Sequence, residues 1–411
     1  MGAINVVGGS VLTDAGSLNA TVLTLGEATG NTSGKFVMGD ATGTGVATLT
    51  QITTQGSGIA NAIVGGNSAA STLTLNLSSN AAFSGKLGGS GTNENNLAFV
   101  KQSAPTLTLS GLNTYTGATT INAGTLKAGV ATAGADGAFG NNSAVTLANV
   151  ASAKLDITGF NNTIGSLAGG GSTGGNVILG SATLTVGGNN QTTSYAGVIS
   201  GASGSIVKTG TGSLALTAAN TYTGTTTVSI GTLLISGDGS GATGVMSVSS
   251  GATLGGTGTF GGNVTVSGSG ILLAGDRSTT TGILHAAAGK NISLVSTSVI
   301  EFTLGATATA HGTIAMNGGT FSLNSSQHIS FDDLGALEGT SYTGLITGVA
   351  DPGNTGTWII DNSGWVGAFS YNAGTSSIDF HLITAPEPAT WALLLFALAA
   401  GSILRGRRNV E

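Results

Sequence analysis

Few side chains in this chain carry chemistry, and their spacing limits what they can do. The 411 residues include 11 Lys or Arg, 17 Asp or Glu, 4 His and no Cys. Without cysteine there is no thiolate nucleophile, disulfide or zinc–sulfur site. His285, His311, His328 and His381 lie far apart, none at the spacing of a helical metal pair, and each reads as an exposed strand or loop residue. Asp332-Asp333 is the adjacent carboxylate pair. Neighbouring strand residues face opposite ways, so the two meet on one cation only at a turn, and they read as solvated turn residues. Gly256, Gly258 and Gly261 form a Gly-x-Gly-x-x-Gly pattern, but strand-like sequence follows rather than a phosphate-binding helix. Gly170-x-Ser172-x-Gly174 lacks the strand–turn–helix that a nucleophile elbow needs. Both patterns read as corner loops. No catalytic residue, cofactor or metal is expected.

The composition points to what these residues sit on. Glycine supplies 72 residues and charged side chains only 7%, with 40% apolar residues. Disordered chains are charge-rich and apolar-poor, so disorder is excluded. Four prolines and no three-residue glycine period exclude collagen. The lysines are scattered singly from Lys35 to Lys290, and no basic patch marks a nucleic-acid partner. The remainder is rich in Thr, Ser, Val and Leu interrupted by Gly and Asn, which is strand and turn chemistry.

A long internal repeat organises this material. Val100–Leu126 (VKQSAPTLTLSGLNTYTGATTINAGTL) and Val207–Leu233 (VKTGTGSLALTAANTYTGTTTVSIGTL) align without a gap. Leu107 and Leu109, like Leu214 and Leu216, alternate with small polar residues, so one strand face is buried. Asn113 and Asn220 fall where turns are expected, and Gly117, Gly124, Gly224 and Gly231 punctuate short strands. Such a chain suits a solenoid of short parallel strands, with Asn and Thr stacked as hydrogen-bonding ladders.

The segments Lys208-Thr209-Gly210-Thr211-Gly212, Leu214-x-Leu216, Asn220-Thr221-Tyr222-Thr223-Gly224, Thr226-Thr227-Val228 and Gly231-Thr232-Leu233 resemble the autotransporter-associated, or passenger-associated, β-strand repeat. The first copy departs at one corner, where Ser103 and Pro105 replace two glycines. The resemblance implies an all-β fold, a right-handed parallel β-helix displayed outside the cell; it does not imply a catalytic activity. Residues 1–275 are assigned to the solenoid. From Asp276 the aromatic content rises, and 276–384 is expected to be a C-terminal β cap, the alternative being a small separate β-sandwich. At roughly 20–25 residues per rung the whole would hold about 15–19 rungs.

The last 27 residues differ. Pro386-Glu387-Pro388 precedes an uncharged run from Ala389 to Leu404, followed by Arg405, Arg407 and Arg408. As a helix the run spans about 24 Å, and arginine stems that snorkel would extend it to a single C-terminal transmembrane helix with a cytoplasmic end. The three-part pattern over 385–411 resembles the PEP-CTERM sorting signal. That resemblance implies an exported bacterial protein, recognised and cleaved near Pro386–Pro388 by an exosortase-like membrane enzyme. Such tails accompany an N-terminal export signal. The residues after Met1 show neither a basic start nor an apolar core, so the chain is expected to be incomplete or misassigned at that end. No run of long amphipathic strands suggests a terminal β-barrel, so self-transport is not expected.

The function expected is structural or adhesive work at the cell surface, in the outer envelope or in the extracellular polysaccharide matrix, with transient or lasting membrane anchoring. Tyr115 and Tyr222, at equivalent corners, are candidate contacts for sugar rings or for a neighbouring rod in self-association. The preferred alternative is that each braces its corner against the next rung. The competing function is polysaccharide binding or degradation, because parallel β-helices also carry lyases and hydrolases. A lyase-type site would draw on Asp276, Arg277, Asp332 and Asp333, the first two being the one acid–base neighbour pair.

Overall fold

The computed structural model describes residues 2–13 and 16–386, all-β apart from one 3₁₀ turn at Thr355–Thr357. Short strands alternate with corners at which glycine takes positive φ, as at Gly124 (φ 73°) and Gly231 (φ 71°) of the two repeats. Left-handed asparagines occur at Asn93, Asn142 and Asn190, not at Asn113 or Asn220.

The strands stack as parallel rungs. One sheet of 16 strands runs from Ile4–Val6 to Ile359–Ile360. Sheets of four, six, eight and seven strands form the other sides. Ser166–Gly169, Asn176–Ile178 and Thr183–Val186 follow one another in three different sheets, and Thr193–Tyr195, Ile199–Ser200 and Ser205–Lys208 repeat that order one turn later. The coil is therefore three-sided. One turn takes as few as 18 residues (Thr253 to Ile271) and as many as 32 (Ile314 to Ile346), a wider range than the expected period.

Strand alternation sends every second side chain inward, and stacking places like on like. Leu49, Leu75, Lys101, Ile121 and Leu147 form one such interior row, and Val186, Lys208, Val228, Val248 and Val266 another. Each row is aliphatic except for one lysine. Glycine is needed where rungs approach most closely: a Cβ at Gly117 would meet the Leu97 carbonyl, and one at Gly224 the Gly204 carbonyl.

The boundary expected at 275 falls inside continuous parallel stacking. Ile271–Ala274 pairs in parallel with Val299–Leu304, and that strand with His328–Asp333. Among the described residues, antiparallel pairing between strands begins only where Ser377–Thr384 pairs with Ser341–Thr347 and with Val366–Asn372, isolated antiparallel bridges apart. The aromatics that suggested a cap from 276 gather at this end: Phe331 stacks on Phe380 at 4.5 Å between ring centres, and Phe369 on Phe380 at 4.7 Å. They are needed there because the last rung has no successor to cover it. No helix among the described residues is long and apolar enough to cross a membrane, and the segment 389–404 lies outside those residues.

Candidate functional site

The corners of the two repeats hold the residues singled out by sequence, and their environment corrects one assignment. Tyr115 and Tyr222 are buried, at 0% and 1% exposure. Neither ring is available to a sugar or to a neighbouring molecule. The Tyr115 hydroxyl shares a 2.6 Å hydrogen bond with Thr119 Oγ1, which is 2.9 Å from Ser143 Oγ on the next rung. The Tyr222 hydroxyl shares a 2.7 Å bond with Thr226 Oγ1. Burial drives both phenols upward, Tyr222 to about 12, against the smaller opposing effect of these hydroxyl partners. The physical reason is space: a corner in a three-sided coil leaves a gap inside the turn, and a large ring fills it.

Asn113 and Asn220 are buried beside them. Asn113 Oδ1 accepts from Leu87 N (2.8 Å) and its Nδ2 donates to Ala138 O (2.6 Å), so it joins the rungs on either side. Asn220 Oδ1 accepts from Ile199 N at 2.8 Å. These asparagines bond to the backbone of adjacent rungs rather than to one another, which departs from the expected side-chain ladder.

Lys101 and Lys208 were not marked as site residues, although both stand in the repeat. Both are buried. Lys208 Nζ donates to Thr209 O (2.7 Å), Gly210 O (2.8 Å) and Ile230 O (3.2 Å). Lys101 Nζ donates to Ser103 O and, at 3.2 Å, to Ala123 O. Among the described residues no carboxylate pairs with either one, and burial pushes each down to about 8. Each ammonium ties its own corner to the corner of the following rung. The signal was present in the strand phase: Lys101 alternates with Leu97 and Phe99 on the inward face, as Lys208 does with Ile206.

The four residues considered for lyase chemistry are held in separate roles. Arg277 forms a two-pronged ion pair with Glu301, with Nη2 2.8 Å from Oε2. Glu301 is nearly buried, and its part was invisible in sequence because it lies one rung away. Asp332 is raised by its burial and then by the nearby Glu301 charge, with Arg277 opposing. Asp276 caps its own turn at Ser278 N (2.9 Å), and Asp333 caps the turn at Gly335 N (2.8 Å).

The histidines are dispersed: His311 is buried against Gly312 O and Thr343 O, His328 pairs with Asp361 at 2.6 Å, and His381 with Ser341 at 2.9 Å. Among the described residues no group of three or more His, Cys, Asp or Glu side chains is placed to hold a metal. Gly256 and Gly258 are rung contacts, where an added Cβ would strike the Ile235 and Gly237 carbonyls. Pro386 is exposed at the edge of the described residues, while Glu387, Pro388, Arg405, Arg407 and Arg408 lie outside them.

The outward rows differ in character from the interior. On the eight-stranded sheet one register row runs Thr163, Thr185, Val207, Thr227, Ser247, Thr265, Ser293 and Ser322, and all but Val207 carry a hydroxyl. This is an uncharged polar stripe along the rod.

Fold and corner chemistry together define a parallel β-solenoid whose repeated residues are spent on holding rungs in place. The passenger-associated-transport-repeat family matches residues 99–128 and 206–235, so the chain carries two of these repeats. Over 167 residues, 40% of the chain, the sequence is 45% identical to the adhesin BmaC autotransporter of Brucella suis biovar 1 (strain 1330). The chain spans 4% of that protein's length.

Proposed function

We propose that the chain is an exported bacterial surface protein, a β-solenoid rod with structural or adhesive work in the cell envelope or its surrounding polysaccharide. One observation carries this reading. The side chains the two repeats share, among them Leu107, Asn113, Tyr115, Lys101 and their counterparts, are buried and engaged in rung-to-rung contacts. The repeat is thus a scaffold, and the outward rows are free to present a surface. The likeness to a named adhesin supports adhesion as the use of that surface.

For sorting, Pro386-Glu387-Pro388, the apolar run 389–404 and the arginines at 405, 407 and 408 would serve an exosortase-like enzyme, with the apolar run holding the protein at the membrane before or after cleavage. The test is surface labelling in a bacterium that processes such tails. The full chain should reach the surface as a protease-accessible rod and adhere to an exopolysaccharide-coated layer. A chain ending at Ala385 should fail to be processed. Equal surface delivery of the truncated chain would overturn the sorting role, and surface delivery without any adhesion would leave only the structural role.

A further inference from the structure

On the four-stranded sheet, an outward register row runs Ser10, Lys35, Ala62 and Lys86. Lys35 and Lys86 are thus two rungs apart, about 9–10 Å, with a small residue between them. Ala62 is only 6% exposed and forms a floor. The gap opens into a groove of about 540 Å³, within the roughly 300–1,000 Å³ range of small-ligand sites. Its other walls include Glu94, Asn95, Thr114 and Asp136, and Ile59 stands at the rim, 95% exposed.

The charges in this groove are unevenly satisfied. Lys35 Nζ is 2.6 Å from Glu94 Oε1, and Glu94 Oε2 accepts from Gly91 N at 2.9 Å. Burial would raise the Glu94 carboxyl, but these two donors outweigh it and hold it below the ordinary carboxylate range. Asp136 Oδ1 accepts from Asn141 Nδ2 at 3.2 Å. Asn95 Oδ1 accepts from Gly89 N (3.0 Å) and Thr114 Oγ1 (2.7 Å), which fixes the amide and leaves its Nδ2 without an acceptor among the described residues. The Lys86 ammonium is likewise without a carboxylate partner among the described residues. Among the described residues the groove therefore offers one ammonium without a carboxylate partner, Lys86, and one preset N–H donor, bordered by hydroxyl and amide groups, an apolar rim and the Asp136 carboxylate, which has no cation of its own.

We infer that this groove binds an acidic saccharide, with Lys86 and Asn95 Nδ2 holding the carboxylate of a uronate unit. The hydroxyl and amide walls suit sugar hydroxyls, and Ile59 suits the C–H face of a ring. This deepens the adhesive reading by naming a ligand class and a site, and its biological use rests on that reading.

The experiment is calorimetric titration of the full chain with tetragalacturonate, with cellotetraose and inorganic sulfate as comparison ligands. Tetragalacturonate should bind and cellotetraose should not. Lys86→Ala should weaken binding at least about tenfold, the loss of one charge-assisted contact, and Lys86→Arg should restore most of it. Ala62→Leu, which fills the floor, should also weaken it, while both variants keep the far-ultraviolet spectrum of the parent. Unchanged affinity in Lys86→Ala, or equal binding of cellotetraose, would overturn the assignment. Sulfate that competes as well as the uronate would reduce the site to a simple anion contact and overturn the saccharide claim. If Lys86→Ala loses uronate binding in solution but the parent chain fails to adhere to polysaccharide, the groove stands and the adhesive reading falls. If Lys86→Ala loses uronate binding in solution yet still adheres, the groove stands as a uronate site and its adhesive use falls.

Discussion

Lys101 and Lys208 hold the same place in the two repeats, yet they lie in different sheets: Lys101 in the sixteen-stranded sheet, Lys208 in the eight-stranded one. Between them the chain passes the sixteen-stranded sheet four times, at Thr119–Ile121, Ala144–Leu147, Ser166–Gly169 and Thr193–Tyr195, and then reaches Ser205–Lys208 one side short of a further pass. The repeat is not a whole number of turns. The second copy is rotated by one side about the rod, so identical outward residues point in different directions while identical inward residues do the same job.

The two lysines set the alkaline stability. Burial pushes each down to about 8 in the folded chain from an ordinary 10.5, so between these values the unfolded chain binds more protons. Stability should then rise from pH 8 toward pH 10, by up to about 3 kcal/mol per lysine. The phenols act oppositely: with Tyr222 at about 12 against an ordinary 10, the folded chain binds more protons above pH 10 and stability should fall. Urea midpoints measured against pH should pass through a maximum near pH 10. In a Lys101→Met, Lys208→Met double variant the rising limb should vanish and the falling limb remain.

Tyr222→Phe should cost about 1–2 kcal/mol, because Thr226 Oγ1 loses its hydroxyl partner in a buried corner. Tyr115→Phe should cost less, since Thr119 keeps Ser143. Truncating either ring to alanine should cost about 3–5 kcal/mol through the cavity left behind. Denaturant titration reads all four values, and the Tyr222 changes, away from Thr114, should leave uronate binding at the groove unaltered.

Gly244→Ala tests the closeness of the rungs. A Cβ there would lie within bonding range of the Gly224 carbonyl, and only backbone displacement relieves it. A loss of about 1–3 kcal/mol is expected. Gly251→Ala meets no atom but requires φ near 75°, so its cost should come from the backbone alone and be smaller, about 1 kcal/mol. Equal costs would show that rung spacing is not the constraint.

Arg277→Ala should destabilise the C-terminal rungs by about 1–3 kcal/mol, because it leaves Glu301 nearly buried without its cation while Arg277 itself is partly exposed to solvent. Adding Glu301→Gln should recover part of the loss. Hydrogen exchange should localise the effect to Val299–Leu304 and its neighbours His328–Asp333 and Ile271–Ala274.

Much of this architecture was legible in sequence because it rests on local rules. Alternation in Leu107-x-Leu109, glycine at Gly124 and Gly231, and the gapless match of Val100–Leu126 to Val207–Leu233 all follow from strand period and turn chemistry, which act over a few residues. What needed the tertiary structure is whatever depends on the adjacent rung, some 18 to 32 residues away in sequence. Tyr115 and Tyr222 turn inward because stacking leaves a space to fill, and that space does not exist in a single strand. Glu301 pairs with Arg277, and Lys35 with Lys86 frames a groove over Ala62, only because successive turns bring distant positions into one row. The parallel stack likewise continues past 275, since hydrogen bonding between rungs is indifferent to the rise in aromatic content that suggested a boundary there. Local propensity determined that this chain makes short strands and corners. The length of each turn, through the register it imposes, decided which side chains meet.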